Sequence, residues 1–269
     1  MKTILMGTPG FVVPIFDKVA GAHEVVAVFT RAPKPAGRKK VLTKTPVHEW
    51  AEAKGIPVYT SIKSFDDVAA GQEERLQIIV AAYGVILREN VLRFDPINIH
   101  PSDLPKYRGP APMITAIMNG DVASAVCLMK MTAEVDAGAV LMRRAFAIGP
   151  DDTTEDVEQR VAEIAGPMVI EYLDAPEKFP PMPQVGEPSF SRKVEKSDLE
   201  IDWSKSAAAI HNQVRAIGGR ATINGVDVKI ISTRVENGAL KILELQPAGK
   251  RVMSAKDFEN GYGKIQIDS

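Results

Sequence analysis

Thr3-Ile4-Leu5-Met6-Gly7-Thr8-Pro9-Gly10 opens the chain with a short apolar run stopped by glycine, threonine and proline. Residues 13–20 then carry apolar side chains at helical spacing, and residues 24–30 form a second run rich in valine. Strand, helix, strand in that order predicts two parallel strands joined by a crossover helix. The alternation continues. Residues 57–59, 76–81 and 97–100 read as strands, and 46–54 and 64–70 as helices, with Pro46 suited to a first turn and Thr45 to its cap. Residues 126–131 and 139–148 add two more strands. The fold class is therefore α/β, a mostly parallel sheet covered on both faces. Ligands in such sheets lie at the carboxyl ends of the strands, where Gly7-Thr8-Pro9, Ala82-Tyr83-Gly84 and His100 fall. Gly7-Thr8-Pro9-Gly10 lacks the G-x-G-x-x-G spacing that admits a pyrophosphate, which excludes a nicotinamide-dependent oxidoreductase.

The stretch that carries chemistry is Ile97-Asn98-Ile99-His100-Pro101-Ser102-Asp103-Leu104-Pro105-Lys106-Tyr107-Arg108-Gly109-Pro110-Ala111-Pro112. Asn98 and His100 are two apart in a strand, so both side chains leave one face of the sheet. The prolines that follow make a stiff loop able to hold a site in shape. A carboxylate that can orient the imidazole comes later, at Asp136 in Glu134-Val135-Asp136-Ala137-Gly138. An amide, an imidazole and a carboxylate together suit acyl transfer. Ser102 and Arg108 read first as structural residues of the loop.

Composition sets mild bounds. The chain has 269 residues and a formal net charge of −1, and 45% of its residues are hydrophobic, as in ordinary soluble domains. Cys127 is its one cysteine, which excludes an intrachain disulfide and a cysteine-rich zinc site and suits a reducing, cytoplasmic setting. No apolar run approaches the length of a membrane span. The positive charge is concentrated: Arg31, Lys34, Arg38, Lys39, Lys40 and Lys44 follow one another with no acidic residue between Glu24 and Glu49. Pro33, Pro35 and Gly37 among them predict a loop rather than a helix, and a local contact with a polyanion.

After Gly149-Pro150-Asp151-Asp152-Thr153-Thr154 a long helix runs to about Leu173. Residues 174–190, with Pro176, Pro180, Pro181 and Pro183, read as a stiff extended linker. A second helix is expected at 206–216. Asn224-Gly225 and Asn237-Gly238 then separate strand-like runs at 220–223, 226–231, 233–235 and 239–245, a strong hairpin signal. The C-terminal part is thus a small antiparallel unit.

The ordered set Met6-Gly7-Thr8-Pro9, Pro35-Ala36-Gly37-Arg38, Ala82-Tyr83-Gly84, Asn98-Ile99-His100, Leu104-Pro105, Arg108-Gly109, Asp136 with Gly138, Ile201-Asp202-Trp203-Ser204 and Leu245-Gln246-Pro247-Ala248-Gly249-Lys250 resembles the bacterial methionyl-tRNA formyltransferases over nearly the whole chain. The resemblance implies a Rossmann-like catalytic domain at 1–173, the linker at 174–190, and an OB-like antiparallel domain at 191–269. It implies formyl transfer from 10-formyltetrahydrofolate to the amino group of initiator methionyl-tRNA, with no metal, no membrane and no stable protein partner. Asn98, His100 and Asp136 become the catalytic residues. Val85, Ile86, Leu87, Glu134, Val135, Ser102 and Pro105 become the folate-binding set, and Arg38, Lys39 and Lys40 the tRNA contacts. Two departures stand out. Ile217-Gly218-Gly219-Arg220 replaces the family's Asn-Pro-x-Pro segment, and the last β unit is too short for five strands. An N-formyltransferase of amino sugar nucleotides would share the triad but has no need of the basic loop. Neither has a hydrolase that deformylates the same folate. A non-catalytic RNA-binding protein would not need the triad.

Overall fold

Strand β1 (Lys2–Gly7) is an interior strand of the first sheet, buried from Thr3 onward. The computed structural model describes residues 2–37, 40–71 and 76–265. After β1 come β2 (Glu24–Phe29), the short β3 (Lys34–Ala36) and β4 (Val41–Thr43), β5 (Val58–Tyr59), β6 (Leu76–Ala81), β7 (Ile97–His100), β8 (Ala123–Lys130) and β9 (Val140–Ala147). Seven of them make one sheet in the order β5-β2-β1-β6-β7-β8-β9. The pairings β1–β2, β1–β6, β2–β5 and β6–β7 are parallel, and β7–β8 is antiparallel. From β1 the chain builds outward to β2 and β5, then returns to β6 on the other side. The reversal of strand order between β1 and β6 is the crevice where such sheets bind ligands.

The crossovers are helices α1 (Val13–Ala22), α2 (Pro46–Ala53), α3 (Phe65–Ala69) and α4 (Glu89–Leu92). Pro46 opens α2 and the Thr45 hydroxyl accepts from the His48 N–H at 3.1 Å, the cap expected from the sequence. One core of this unit packs Ile4, Met6, Ala27, Phe29, Phe65, Ile78 and Val80. Phe29 is fully buried, with its ring 5.2 Å from Tyr59 and 6.0 Å from Phe65. Burying such a ring contributes about 2–3 kcal/mol.

The remaining elements are α5 (Pro112–Met118), α6 (Thr154–Asp174), α7 (Ala207–Ile217), β10 (Gly219–Ile223), β11 (Val226–Glu236), β12 (Ala239–Pro247), β13 (Met253–Ser254) and α8 (Ala255–Tyr262). The chain divides into two compact units. One comprises Met1–Pro110, Ala125–Phe146 and Glu158–Phe190, the other Ala111–Ser124, Ala147–Val157 and Ser191–Ser269. In the second, β10-β11-β12-β13 form an antiparallel sheet of four strands among the described residues, the shortened unit expected from the sequence. Its core is Ile210, Val214, Ile223, Val228, Ile230, Ile242, Leu245 and Phe258. Both Asn-Gly pairs make the predicted two-residue turns: Asn224 and Gly225 have φ of 52° and 73°, and Asn237 and Gly238 have 51° and 80°. Positive φ at both central residues matches the turn to the twist of the strands. The two runs expected at 226–231 and 233–235 are one strand, β11. Its register shifts around Ser232, where the periodicity breaks.

Arg215 on α7 ties the second unit together. Its guanidinium donates to the carbonyl oxygens of Asp152 (2.7 Å), Gly149 (3.2 Å) and Ile117 (3.4 Å), and to Asn212 Oδ1 (3.0 Å). No helix among the described residues is long and apolar enough to cross a membrane.

Candidate active site

The site grows from the end of β7. That strand pairs with β6 on one side and β8 on the other, with His100 opposite Cys127 and Asn98 opposite Met129. The pairing fixes both side chains against a rigid sheet. Cys127 is wholly buried, and burial pushes its thiol up to about 11, so it is core and not nucleophile.

Asp136 lies in the loop between β8 and β9, with a left-handed backbone at φ 48°. Its Oδ1 accepts from Asn98 Nδ2 at 3.4 Å. Its Oδ2 accepts from the Gly109 N–H at 2.8 Å and lies 3.6 Å from His100 Nδ1. The three residues picked out by the sequence therefore meet. The loop is pressed onto β8 at Gly138, where a Cβ would stand 1.8 Å from the Lys130 carbonyl oxygen. Only glycine permits that approach.

His100 is buried. Its Nε2 is 3.1 Å from the Tyr107 carbonyl oxygen. A carbonyl can only accept, so a neutral imidazole keeps its proton on Nε2 and turns the Nδ1 lone pair toward Asp136. Burial lowers the His100 pKa below the ordinary histidine value, with the Asp136 carboxylate and the Tyr107 carbonyl working in the opposite direction. The imidazole thus rests neutral, beside a carboxylate that stabilises it once it gains a proton.

The stiff loop after β7 is held from several sides. The Ser102 hydroxyl, fully buried, donates to the Lys106 carbonyl at 2.6 Å, which is a structural bond. Asp103 takes a two-pronged ion pair from Arg143. Arg108 donates to Glu134 Oε1 at 3.3 Å and to Gln184 Oε1 from Nε at 3.1 Å and Nη2 at 2.9 Å. The Pro105 carbonyl accepts from the Ser189 N–H at 3.2 Å. Glu134 and Val135 flank Asp136, Val135 with 65% of its surface exposed. Val85, Ile86 and Leu87 follow β6 on a loop of their own, with Ile86 89% exposed and Leu87 buried. Lys40 sits in the turn of the β3–β4 hairpin and is exposed. Arg38 and Lys39 lie outside the described residues. The basic segment read as loop is in part a hairpin, with Lys34 to Ala36 paired to Val41 to Thr43.

Sequence reasoning missed the participation of 182–190. Met182 pairs with Val140, Gln184 bonds the Asp136 loop, and Ser189 lines up with Tyr107 and Arg108. The available signal was Gln184 itself, the single polar side chain in Phe179-Pro180-Pro181-Met182-Pro183-Gln184-Val185-Gly186.

A sheet with Asn-x-His on an interior strand, facing a loop Asp beside a proline-rich turn, defines a class, and the chain belongs to the formyl transferase family. The formyl transferase model matches residues 1–173, and that of the formyl transferase C-terminal domain matches 193–241. Among its relatives, the methionyl-tRNA formyltransferase of Acidiphilium cryptum is 40% identical over 294 residues, covering 97% of each chain. Those of Gluconobacter oxydans and Jannaschia sp. are 37% and 36% identical, covering 97% and 96% of each chain. The fold is shared with the N-formyltransferase from Helicobacter canadensis in complex with folinic acid and dTDP-3-aminofucose (TM-score 0.67, 20% identity, 94% of this chain and 98% of that one). It is shared equally with methionyl-tRNA formyltransferase from Clostridium thermocellum (TM-score 0.64, 14% identity, 92% and 98%).

Proposed function

We propose that this chain transfers a formyl group from 10-formyltetrahydrofolate to the amino group of methionyl initiator tRNA, in the cytoplasm. The observation that carries the reading is the convergence of Asn98, His100 and Asp136 within 3.6 Å at a strand end, in a formyl transferase whose relatives act on methionyl-tRNA.

The donor supplies an activated formyl carbon. When the methionyl amine attacks it, negative charge collects on the formyl oxygen. Asn98 spends one amide hydrogen on Asp136 and offers the other to that oxyanion, a contribution of about 3 kcal/mol. His100, neutral and fixed through Nε2, accepts the proton shed by the amine and returns it to the departing nitrogen. Asp136 stabilises the imidazolium in between. Its own charge is steadied by the Gly109 N–H.

The apolar side chains of Ile86 and Val135, open to solvent, suit the face of a pterin ring, with Val85 and Glu134 beside them on the same two loops, while buried Leu87 and the Ser102–Pro105 turn would support the site from behind. Arg38, Lys39 and Lys40 would contact the acceptor end of the tRNA. In this reading residues 1–173 are the catalytic domain, 174–190 join it to the rest, and 191–269 support RNA binding. The test is to supply 10-formyltetrahydrofolate with methionyl-tRNA and, in parallel, with amino sugar nucleotides. Formylmethionyl-tRNA as the product supports the reading. Formylated sugar alone overturns it.

A further inference from the structure

We propose that Gln184 is a positioning residue, which holds the backbone of Asp136 so that its carboxylate stays against His100 and Asn98. The inference rests on the catalytic reading of Asp136. Proline-rich residues 174–190 suggest a passive spacer, yet Gln184 is bonded at both ends of its amide. Its nitrogen donates to the carbonyl oxygens of Asp136 at 2.8 Å and Gly138 at 2.9 Å. Its oxygen accepts from Arg108 Nε at 3.1 Å and Nη2 at 2.9 Å. A guanidinium only donates and a carbonyl only accepts, so the partners fix which way the amide points. Both donors and both lone pairs are used.

The place of these bonds matters more than their number. Asp136 holds a left-handed φ of 48°, a conformation uncommon for residues with side chains though aspartate tolerates it better than most, so bonds that fix it have a direct effect on where the carboxylate points. One of the Gln184 bonds is to the carbonyl of Asp136 itself, and the other is to Gly138, already pressed on Lys130. Through Arg108 the same amide reaches the loop whose Gly109 N–H holds the Asp136 carboxylate. Five residues on, Ser189 secures that loop again. Its hydroxyl accepts from the Tyr107 N–H at 3.0 Å and its carbonyl from the Arg108 N–H at 2.9 Å. Tyr107 is the residue whose carbonyl faces His100 Nε2. The segment thus touches the supports of both the carboxylate and the imidazole without touching either group.

Formylation of methionyl-tRNA by the full chain tests this, with wild type, Gln184→Ala, Gln184→Glu, Asp136→Asn and the double substitution Gln184→Ala with Asp136→Asn compared in steady state and in single turnover. Gln184→Glu keeps the shape and the Arg108 partner but puts an oxygen where two carbonyls need a donor, so it serves if Gln184→Ala does not fold. Both Gln184 variants are expected to lower kcat at least about tenfold, with KM for both substrates within about threefold, since misplacing a catalytic group costs rate rather than binding. In the Asp136→Asn background the Gln184→Ala substitution should change the rate less than about twofold, because the group it positions is gone. An equal loss in both backgrounds, a loss confined to KM, or wild-type kcat in folded Gln184 variants overturns the inference. Wild-type kcat in Asp136→Asn instead overturns the catalytic reading beneath it.

Discussion

His100 and His211 are both buried histidines with a partner at each ring nitrogen, yet the partners differ in kind. His211, on α7, has Nδ1 2.9 Å from the Thr233 hydroxyl and Nε2 3.1 Å from the Pro150 carbonyl, with the exposed Asp151 carboxylate 3.4 Å from Nε2. A hydroxyl gives or takes a hydrogen bond, so one neutral tautomer satisfies both sides. His100 faces a carbonyl and a carboxylate, which only accept. No neutral tautomer satisfies both, and the imidazolium that would is opposed by burial. The first histidine is a fastening. The second is held in a state that gains by taking a proton, which is what a proton carrier needs. Burial alone does not separate the two, but the acceptor count does.

The comparison breaks most readily in activity. His100→Ala, Asp136→Ala and Asn98→Ala should each lower kcat for methionyl-tRNA by about a thousandfold or more, equivalent to about 4 kcal/mol. His211→Ala should stay within a few-fold of wild type. Comparable losses at both histidines would erase the distinction. Next in size is Gly138→Ala. Its Cβ would collide with the Lys130 carbonyl, so the loop must move and carry Asp136 with it. An activity loss of about a hundredfold is expected in a protein that keeps its far-ultraviolet circular dichroism. Unchanged activity would mean that the triad tolerates a displaced carboxylate.

Stability sharpens the other side. Arg215→Ala leaves the buried Ile117 carbonyl and the half-buried carbonyls of Gly149 and Asp152 without their donor and should cost about 2–3 kcal/mol, with His211→Ala costing about 1–2 kcal/mol. Denaturant melts followed by tryptophan fluorescence measure both. The smallest effect is in pH. The folded His100 has a pKa below the ordinary 6.5, so the unfolded chain takes the proton first as pH falls. Stability from this group is complete above the ordinary value and drains as pH drops from there toward the folded value. His100→Gln should flatten that part of the stability profile relative to wild type. A difference profile that rises with falling pH would reverse the sign and mean that Asp136 outweighs burial.

The fold was legible wherever local chemistry and tertiary need agree. Leu76–Ala81 and Ile97–His100 were predicted residue for residue because each is a short run rich in Ile, Leu or Val with an abrupt end. The Thr45 cap announced α2. The β3–β4 hairpin was hidden, since its residues are exposed on both sides and carry no alternation. The short α5 was hidden too, beginning at the last proline of a run that reads as pure loop. Within the candidate site, Asn98, His100 and Asp136 were visible as residue types in a pattern. Tyr107 and Gly109 were not, because they act through the backbone, which every residue shares. Gln184 and Ser189 were not, because their meaning depends on partners some 50 to 80 positions away.

One small contact has a use in the redesign of this molecule. The hydroxyls of Thr30 and Thr45 lie 2.7 Å apart, and Thr45 also caps α2. The basic excursion between them leaves and re-enters the sheet unit beside this stitch, with Lys44 also paired to Glu52 of α2, so the part before Lys44 can be treated as a cassette. Its two ends are already closed upon each other, and a segment of another length can be spliced between the threonines at a closure penalty that grows by only about 0.6 kcal/mol per doubling. The reach and charge of that arm can therefore be rewritten while the strand before it and the helix after it keep their places.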